Sequence, residues 1–379
     1  MPENNNIIDF DLYKKIEVED EDIGSAIMED PFNPSEINII PKSPTISLLV
    51  KRMSAKRPEI DLFPEFQRSD DLWSIQKQSQ LIESILISFP LPAFYFDGTD
   101  DDKWLVVDGL QRLSSIRNFV IDKTLLLTGL EFLEDLEGES FDGLPRSLQR
   151  KIEETQIIAY IIQPGTPTKV KYNIFKRINT GGLVLTPQEI RHALNQGIPA
   201  RFIADLANIK EFKKATEYRI NTTRMLDREF VTRFIAFYLN EPNSYVPDLD
   251  SFLNKSMGQI ASLTKEERQR IKSDFTDSMK LAFTIFDRWA FRKAGLYPDR
   301  RKPINKALFE VWAVNLAKLP ESERNIIRKK KKEVLDHFVY MMKNDPKFID
   351  SITSGTGGRQ QVIIRFERVK QLLKDICHD

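Results

Sequence analysis

Every strand-like run in this 379-residue chain falls before residue 165, and almost everything after it carries helical spacing. "AFYF" (93–96), "WLVV" (104–107) and "TQIIAYIIQ" (155–163) are short, aromatic or β-branched, and bounded by turn residues such as "DGTDDDK"; such runs read as strands. "TLLLTGL" (124–130) reads as another. "IQKQSQLIESILISFPLP" places Leu81, Ile82, Ile85, Leu86 and Phe89 on one helical face and stops at Pro90. Strands segregated from helices imply an α+β N-terminal domain followed by a mostly α-helical domain, and the length is too great for one ordinary core.

The boundaries follow from composition. Residues 1–42 are acidic, Asn-rich and Pro-punctuated, and read as a flexible acidic leader. Residues 43–165 hold the strands and residues 166–379 the helical domain. Thr166-Pro167 reads as the start of one helix, Thr186-Pro187-Gln188-Glu189 as a capping box opening the next, and Thr264 to Glu267 as a further cap. Residues 1–31 hold ten Asp/Glu and two Lys, a net of −8, so in a chain of zero net charge the remainder carries +8. Two readings stand: a solubilising leader, or a tail that mimics phosphate against a basic nucleic-acid or nucleotide binder. No apolar run approaches the length of a membrane span, and the N-terminus lacks a secretory pattern. The single cysteine, Cys377, forms no internal disulfide, which fits a reducing cytoplasm.

The stretch richest in chemistry is "KWLVVDGLQRLSSIRNF" (103–119), where a strand meets a helix through Asp108, Gly109, Leu110, Gln111 and Arg112. The first turn of a helix has free N–H groups and a partial positive charge, and so receives anions. Gly109 permits positive φ and close approach of a ligand. Arg112 offers a fork for two phosphate oxygens, and Gln111 can donate to a phosphate or orient a water. Asp108 repels phosphate by itself, so beside one it would hold Mg²⁺ or a water. A tight strand–helix turn with solvated polar residues is the plain alternative.

This stretch resembles the Asp-Gly-Gln-Gln-Arg signature of the family that forms the N-terminal part of GmrSD-type restriction systems, a relative of the ParB/sulfiredoxin-like fold. "FPEFQRSDDLWSIQKQSQLIESILISFPLP" resembles the family's opening pattern, and "FKRINTGGLVLTPQEIRHAL" its second signature. "DREFVTRFIAFY" and "TSGTGGRQQVIIRFE" are similar to later family segments, so the likeness spans about residues 45–375. Leu110 departs from the pattern, where the family usually has Gln. The resemblance implies nucleoside triphosphate binding and hydrolysis at the turn, dependence on a divalent cation such as Mg²⁺, and a role in restricting foreign, often modified, DNA. On that basis Asp108, Gln111 and Arg112 are the catalytic candidates, with Asp108 the metal ligand. Gln67, Arg68, Gly109, Arg112, Arg177, Asn179, Thr180 and Arg191 are the nucleotide-binding ones.

Each supporting residue also has a plainer reading. Gln67-Arg68 could be a surface pair, Asn179-Thr180 a local cap before Gly181-Gly182, and Arg191 the partner of an acid. His192 reads as a structural histidine. Arg328, Lys329, Lys330, Lys331 and Lys332 form the densest basic run, either a solvated helix face or a contact for DNA phosphates; Arg359, Arg365 and Arg368 form a second cluster. Three functional hypotheses remain. The chain is an NTPase of a DNA-restriction or anti-phage system, or a non-hydrolytic nucleotide or modified-DNA sensor for a separate nuclease partner, or a metal-dependent nickase using Asp108 with Glu65. His192, His337 and His378 are scattered and make no HNH-type cluster. A sulfiredoxin-like enzyme would need a thiol at the turn, and a ParB-like clamp a helix-turn-helix that the sequence does not display.

Overall fold

Alternating side chains in three short strands organise the first of two units in this structure. It is a computed structural model that describes residues 17–23, 33–62 (the backbone alone at 61), 73–100, 102–178, 185–294 and 302–378. β1 (Ile39–Lys42), β2 (Ile60–Asp61), β3 (Phe94–Asp97), β4 (Trp104–Asp108) and β5 (Ala159–Ile162) form one sheet in the order β1-β5-β3-β4-β2. β1–β5 and β3–β4 pair antiparallel; β3–β5 and β2–β4 pair parallel. Phe94, Phe96, Trp104, Val106, Ala159 and Ile161 share one core with α1 (Ile46–Met53), α2 (Ile75–Leu86), α3 (Leu110–Ile116) and α4 (Arg146–Glu154). Val107 and Ile162, with the half-buried Tyr95 and Leu105, pack instead with α5 (Thr168–Ile178) and α6 (Pro187–Leu194). Cover on both faces explains why these strands read as nearly unbroken apolar runs.

The α+β assignment and the helical character of the rest hold. Local chemistry sets several boundaries as read from the sequence. The Thr186 N–H donates to Glu189 Oε2 at 2.7 Å and the Glu189 N–H to Thr186 Oγ1 at 3.2 Å, so the capping box opens α6. Thr264 and Glu267 close the same reciprocal pair. Other expectations fail. "TLLLTGL" makes no strand: Leu125 and Leu127 are buried, but Thr128 N–H donates to Ser79 Oγ and Gly129 N–H to Glu137 Oε1. Side chains thus take the donors a ladder would have used. Phe89 is 55% exposed, because α2 ends at Leu86 and Ser88 turns the chain with φ of 63°.

The units divide at residues 194/195, not at 165/166: one comprises 32–194, the other 195–379 together with 1–31. The reason is the second sheet face, which Val170, Tyr172, Phe175 and Ile190 cover. Among the described residues the second unit holds ten α-helices, from Ile198–Ala207 to Arg359–His378, around one large aromatic-rich core. Parts of the segment read as a leader have defined partners. Ile39–Lys42 forms β1, and residues 17–23 run through the helical unit as a strap. There Glu21 meets both Nη atoms of buried Arg233, at 3.1 and 2.6 Å. Arg233 also donates to Glu310 at 2.6 Å, and Arg365 to the other Glu310 oxygen at 2.7 Å. Among the described residues no helix is long and apolar enough to cross a membrane.

One buried carboxylate ties the sheet unit together. Glu83, on α2, accepts the N–H groups of Glu131, Phe132 and Leu133 at 2.7–3.1 Å. Burial alone would raise its pKa, but the three amides outweigh it and hold the group below its ordinary value. Its contribution is therefore full above the unfolded carboxylate range and is lost as pH falls through the lower folded value. Glu83→Ala is expected to cost about 2–4 kcal/mol by stranding these donors. In urea titrations, the gap between wild type and variant should narrow below about pH 4.5.

Candidate functional site

β4 ends at Asp108, and Gly109 turns the chain into α3 with φ 100° and ψ 10°. Only glycine adopts that conformation without penalty. A Cβ here would also lie 2.5 Å from Phe94 Cδ1 and 3.3 Å from Arg112 Nη2. Gly109→Ala is expected to destabilise the sheet unit by about 2–4 kcal/mol, from backbone strain plus the displaced ring; chemical denaturation followed by circular dichroism measures it. Gly109 has no side chain with which to cap α3, so the helix begins without a side-chain acceptor for its first amides.

Arg112 does not present its fork outward. It is 7% exposed, and its guanidinium donates to the carbonyls of Pro92 and Ala93 and, at 2.7 Å, to Asp108 Oδ2. It also lies 4.3 Å from the Phe94 ring centroid. In this structure Arg112 fixes the segment before β3, the end of β4 and the first turn of α3. Burial lowers its pKa, opposed by the Asp108 charge.

Gln111 is engaged through its oxygen. Its Oε1 accepts the Trp73 N–H at 3.0 Å, which leaves its amide hydrogens to donate. Gln78 holds the Trp73 carbonyl at 2.7 Å, and Asn118 holds Gln78 at 2.9 Å. Trp73 is thereby pinned immediately after residues 63–72. Gln67 and Arg68 lie outside the described residues, as do Glu65, Asn179 and Thr180.

Arg177 stands exposed in the last turn of α5. Arg191 is 1% exposed within α6, its Nε donating to Gln188 at 3.0 Å and its Nη1 to the Tyr172 hydroxyl at 3.4 Å. His192 is fully buried, in keeping with a structural histidine. The basic run is split, with Arg328 and Lys329 ending one helix and Lys331 and Lys332 starting another. Lys330 lies between them and donates to the Ile376 carbonyl at 3.1 Å. Arg365 is no surface cation; it is fully buried against Glu310.

Two tyrosines and a lysine escaped the sequence reading. Tyr95 and Tyr160 stack at 5.1 Å between centroids with planes 18° apart. Tyr95 pairs across the ladder with Asp108. Burial, the Tyr160 neighbour and the Asp108 charge raise its pKa, so its hydroxyl remains a donor. Lys171 on α5 reaches Asp97 Oδ2 at 3.0 Å and Thr99 at 2.9 Å. The signal was present: a tyrosine at the second position of each of the short strands β3 and β5. Asp108 uses one oxygen on Arg112, and among the described residues no group of three or more metal-ligating side chains gathers.

Compared with known proteins, residues 49–196 match the family model described as GmrSD restriction endonuclease, N-terminal domain. No curated protein and no solved structure matches the chain.

Proposed function

We propose, from the match of residues 49–196 to the family model described as GmrSD restriction endonuclease, N-terminal domain, that this chain is a nucleotide-binding, NTP-hydrolysing protein of a DNA-restriction or anti-phage defence system. The observation that carries the reading is the uncapped, glycine-led start of α3 beside a carboxylate held in place by Arg112. Such a helix start receives phosphate. The Gln111 amide donates to a phosphate oxygen, and the Tyr95 hydroxyl donates beside Asp108. Asp108 Oδ1 orients a water toward the terminal phosphorus and takes its proton. The water oxygen bonds to phosphorus as the bond to the bridging oxygen breaks, giving nucleoside diphosphate and phosphate. Arg112 is the positioning residue for this turn.

One carboxylate with a free oxygen fits Mg²⁺ that arrives with the triphosphate and keeps mostly phosphate and water ligands. The ion would neutralise charge on the phosphates. Exposed Lys329, Lys331 and Lys332 would serve as phosphate-backbone contacts to DNA.

Leu110 favours a second reading. It is 9% exposed and packs in the core, at the position where the family usually offers an amide. A site lacking that donor can hold a nucleotide without turning it over, and would then sense for a separate nuclease. Calorimetry and phosphate release, run together with Mg²⁺, separate the two. For the hydrolase, Asp108→Asn should keep binding within about threefold and lower phosphate release at least 100-fold. Gln111→Ala should weaken binding about tenfold. Binding without release in the wild type supports the sensor; absence of binding overturns both.

A further inference from the structure

The strap at residues 17–23 is held as a polyanion would be held. Its backbone pairs on one side with Ile304, which donates to Glu17 O at 2.7 Å and accepts from Glu19 N at 2.8 Å. On the other side, the Thr356 N–H donates to Asp22 O at 2.9 Å. Glu17 meets buried Arg292 at 3.2 Å; Glu19 meets Lys293 at 2.6 Å and Asn305 at 3.0 Å. Glu21 takes the Arg233 fork and, at 2.7 Å, the Thr356 hydroxyl. Asp22 accepts from the Ser354 hydroxyl at 3.1 Å and the Gly355 N–H at 3.4 Å, in a Gly-rich loop that leads into the 20-residue helix Arg359–His378.

Forks, hydroxyls and loop amides ahead of a helix are the groups that bind phosphodiesters. Alternate residues of an extended strap stand roughly 6.6 Å apart, comparable to successive phosphates on one strand. The charges agree: residues 195–379 hold 35 Lys/Arg against 24 Asp/Glu, a net of +11, while residues 1–31 carry −8. We propose that this slot in the helical unit is a binding site for single-stranded nucleic acid, and that Glu17–Asp22 fill it as a built-in mimic until a strand displaces them. A slot one extended chain wide takes a single strand in preference to a duplex. The proposal stands apart from the nucleotide reading of the sheet unit, and its test uses no nucleoside triphosphate.

Glu17 and Glu19 are more exposed than Glu21, with side chains 27% and 29% accessible against 7%, so Glu17→Gln/Glu19→Gln loosens the strap while leaving Glu21 on Arg233. The full-length double variant should bind a labelled 20-nucleotide single-stranded DNA at least about tenfold tighter than wild type by fluorescence anisotropy, with steeper salt dependence. A staple provides the converse. A Cβ on Gly357 would lie 3.8 Å from Ile23 Cβ, a separation that suits a disulfide, and Ile23→Cys removes the methyl 2.5 Å away. Ile23→Cys/Gly357→Cys in a Cys377→Ser background, with closure verified by thiol count, should lose binding when oxidised and regain it in dithiothreitol. Equal affinity of wild type and the Gln variant would overturn the proposal, leaving the strap a structural tie. So would undiminished binding by the oxidised staple, or capture of an acidic peptide instead of DNA.

Discussion

Arg112→Ala is expected to unfold the sheet unit before it reports anything about a ligand. The side chain supplies charge-assisted hydrogen bonds to two backbone carbonyls and to Asp108, and its guanidinium covers the Phe94 ring. Truncation leaves two carbonyls and a carboxylate without their donor and opens a void the size of the side chain. Buried groups stranded in this way cost about 3–5 kcal/mol in all. Arg112→Lys should recover less than half, because one ammonium cannot span three acceptors arranged for a planar fork. Urea titration of both variants, followed by circular dichroism, measures the loss. A cost under about 1 kcal/mol would return Arg112 to the role of an available phosphate ligand. The practical consequence is that Asp108 and Gln111, not Arg112, are the positions at which function can be tested without dismantling the fold.

Glu310→Ala should be the most damaging substitution in the helical unit. Glu310 is fully buried and separates two buried guanidiniums, at 2.6 Å from Arg233 and 2.7 Å from Arg365. Burial would lower the Arg233 pKa, but the charges of Glu21, Glu229 and Glu310 outweigh it and raise it well above its ordinary value. Without Glu310 the cluster keeps its cations and loses one of the anions that make them tolerable. The expected loss is about 3–5 kcal/mol. Arg365→Met combined with Glu310→Gln should cost less than the sum of the single changes, since the residues share one network. Glu21 adds a pH dependence with a defined sign. Its burial favours the neutral acid, but Arg233 and Lys306 prevail and hold its pKa below the ordinary value. The stability it lends is therefore complete above the unfolded carboxylate pKa and disappears as pH falls through the lower folded one. Denaturant midpoints of wild type and Glu21→Gln should converge in acid and separate toward neutrality.

What could be read from the sequence was local. Two capping boxes, at Thr186 and Thr264, are three-residue reciprocal arrangements that need no partner elsewhere in the chain. The β-rich runs and the Gly109 turn were legible for the same reason. What could not be read depended on distant chain. Arg112 reads as a ligand fork because two of its three acceptors, the Ala93 and Pro92 carbonyls, lie 19 and 20 residues away without sequence signature. Ile39–Lys42 reads as leader because four residues with a proline hardly announce a strand; Pro41 is tolerated since β1 pairs on one side only. The acids at Glu17–Asp22 resembled a solvated tail because the cations that bind them lie more than 200 residues later. Arg365 reads as a DNA contact because Glu310, which holds it in the core, lies 55 residues earlier.

The strap also sets an order of events at the ribosome. Glu21 and Thr356 are 335 residues apart, so at ordinary elongation rates roughly 20–70 s separate the appearance of the acid from that of its partner. Throughout that interval the sheet unit, encoded between them, can finish, while the helical unit must wait with its carboxylates in water. Vectorial synthesis therefore makes residues translated well ahead of the rest of their unit among the last of it to be placed.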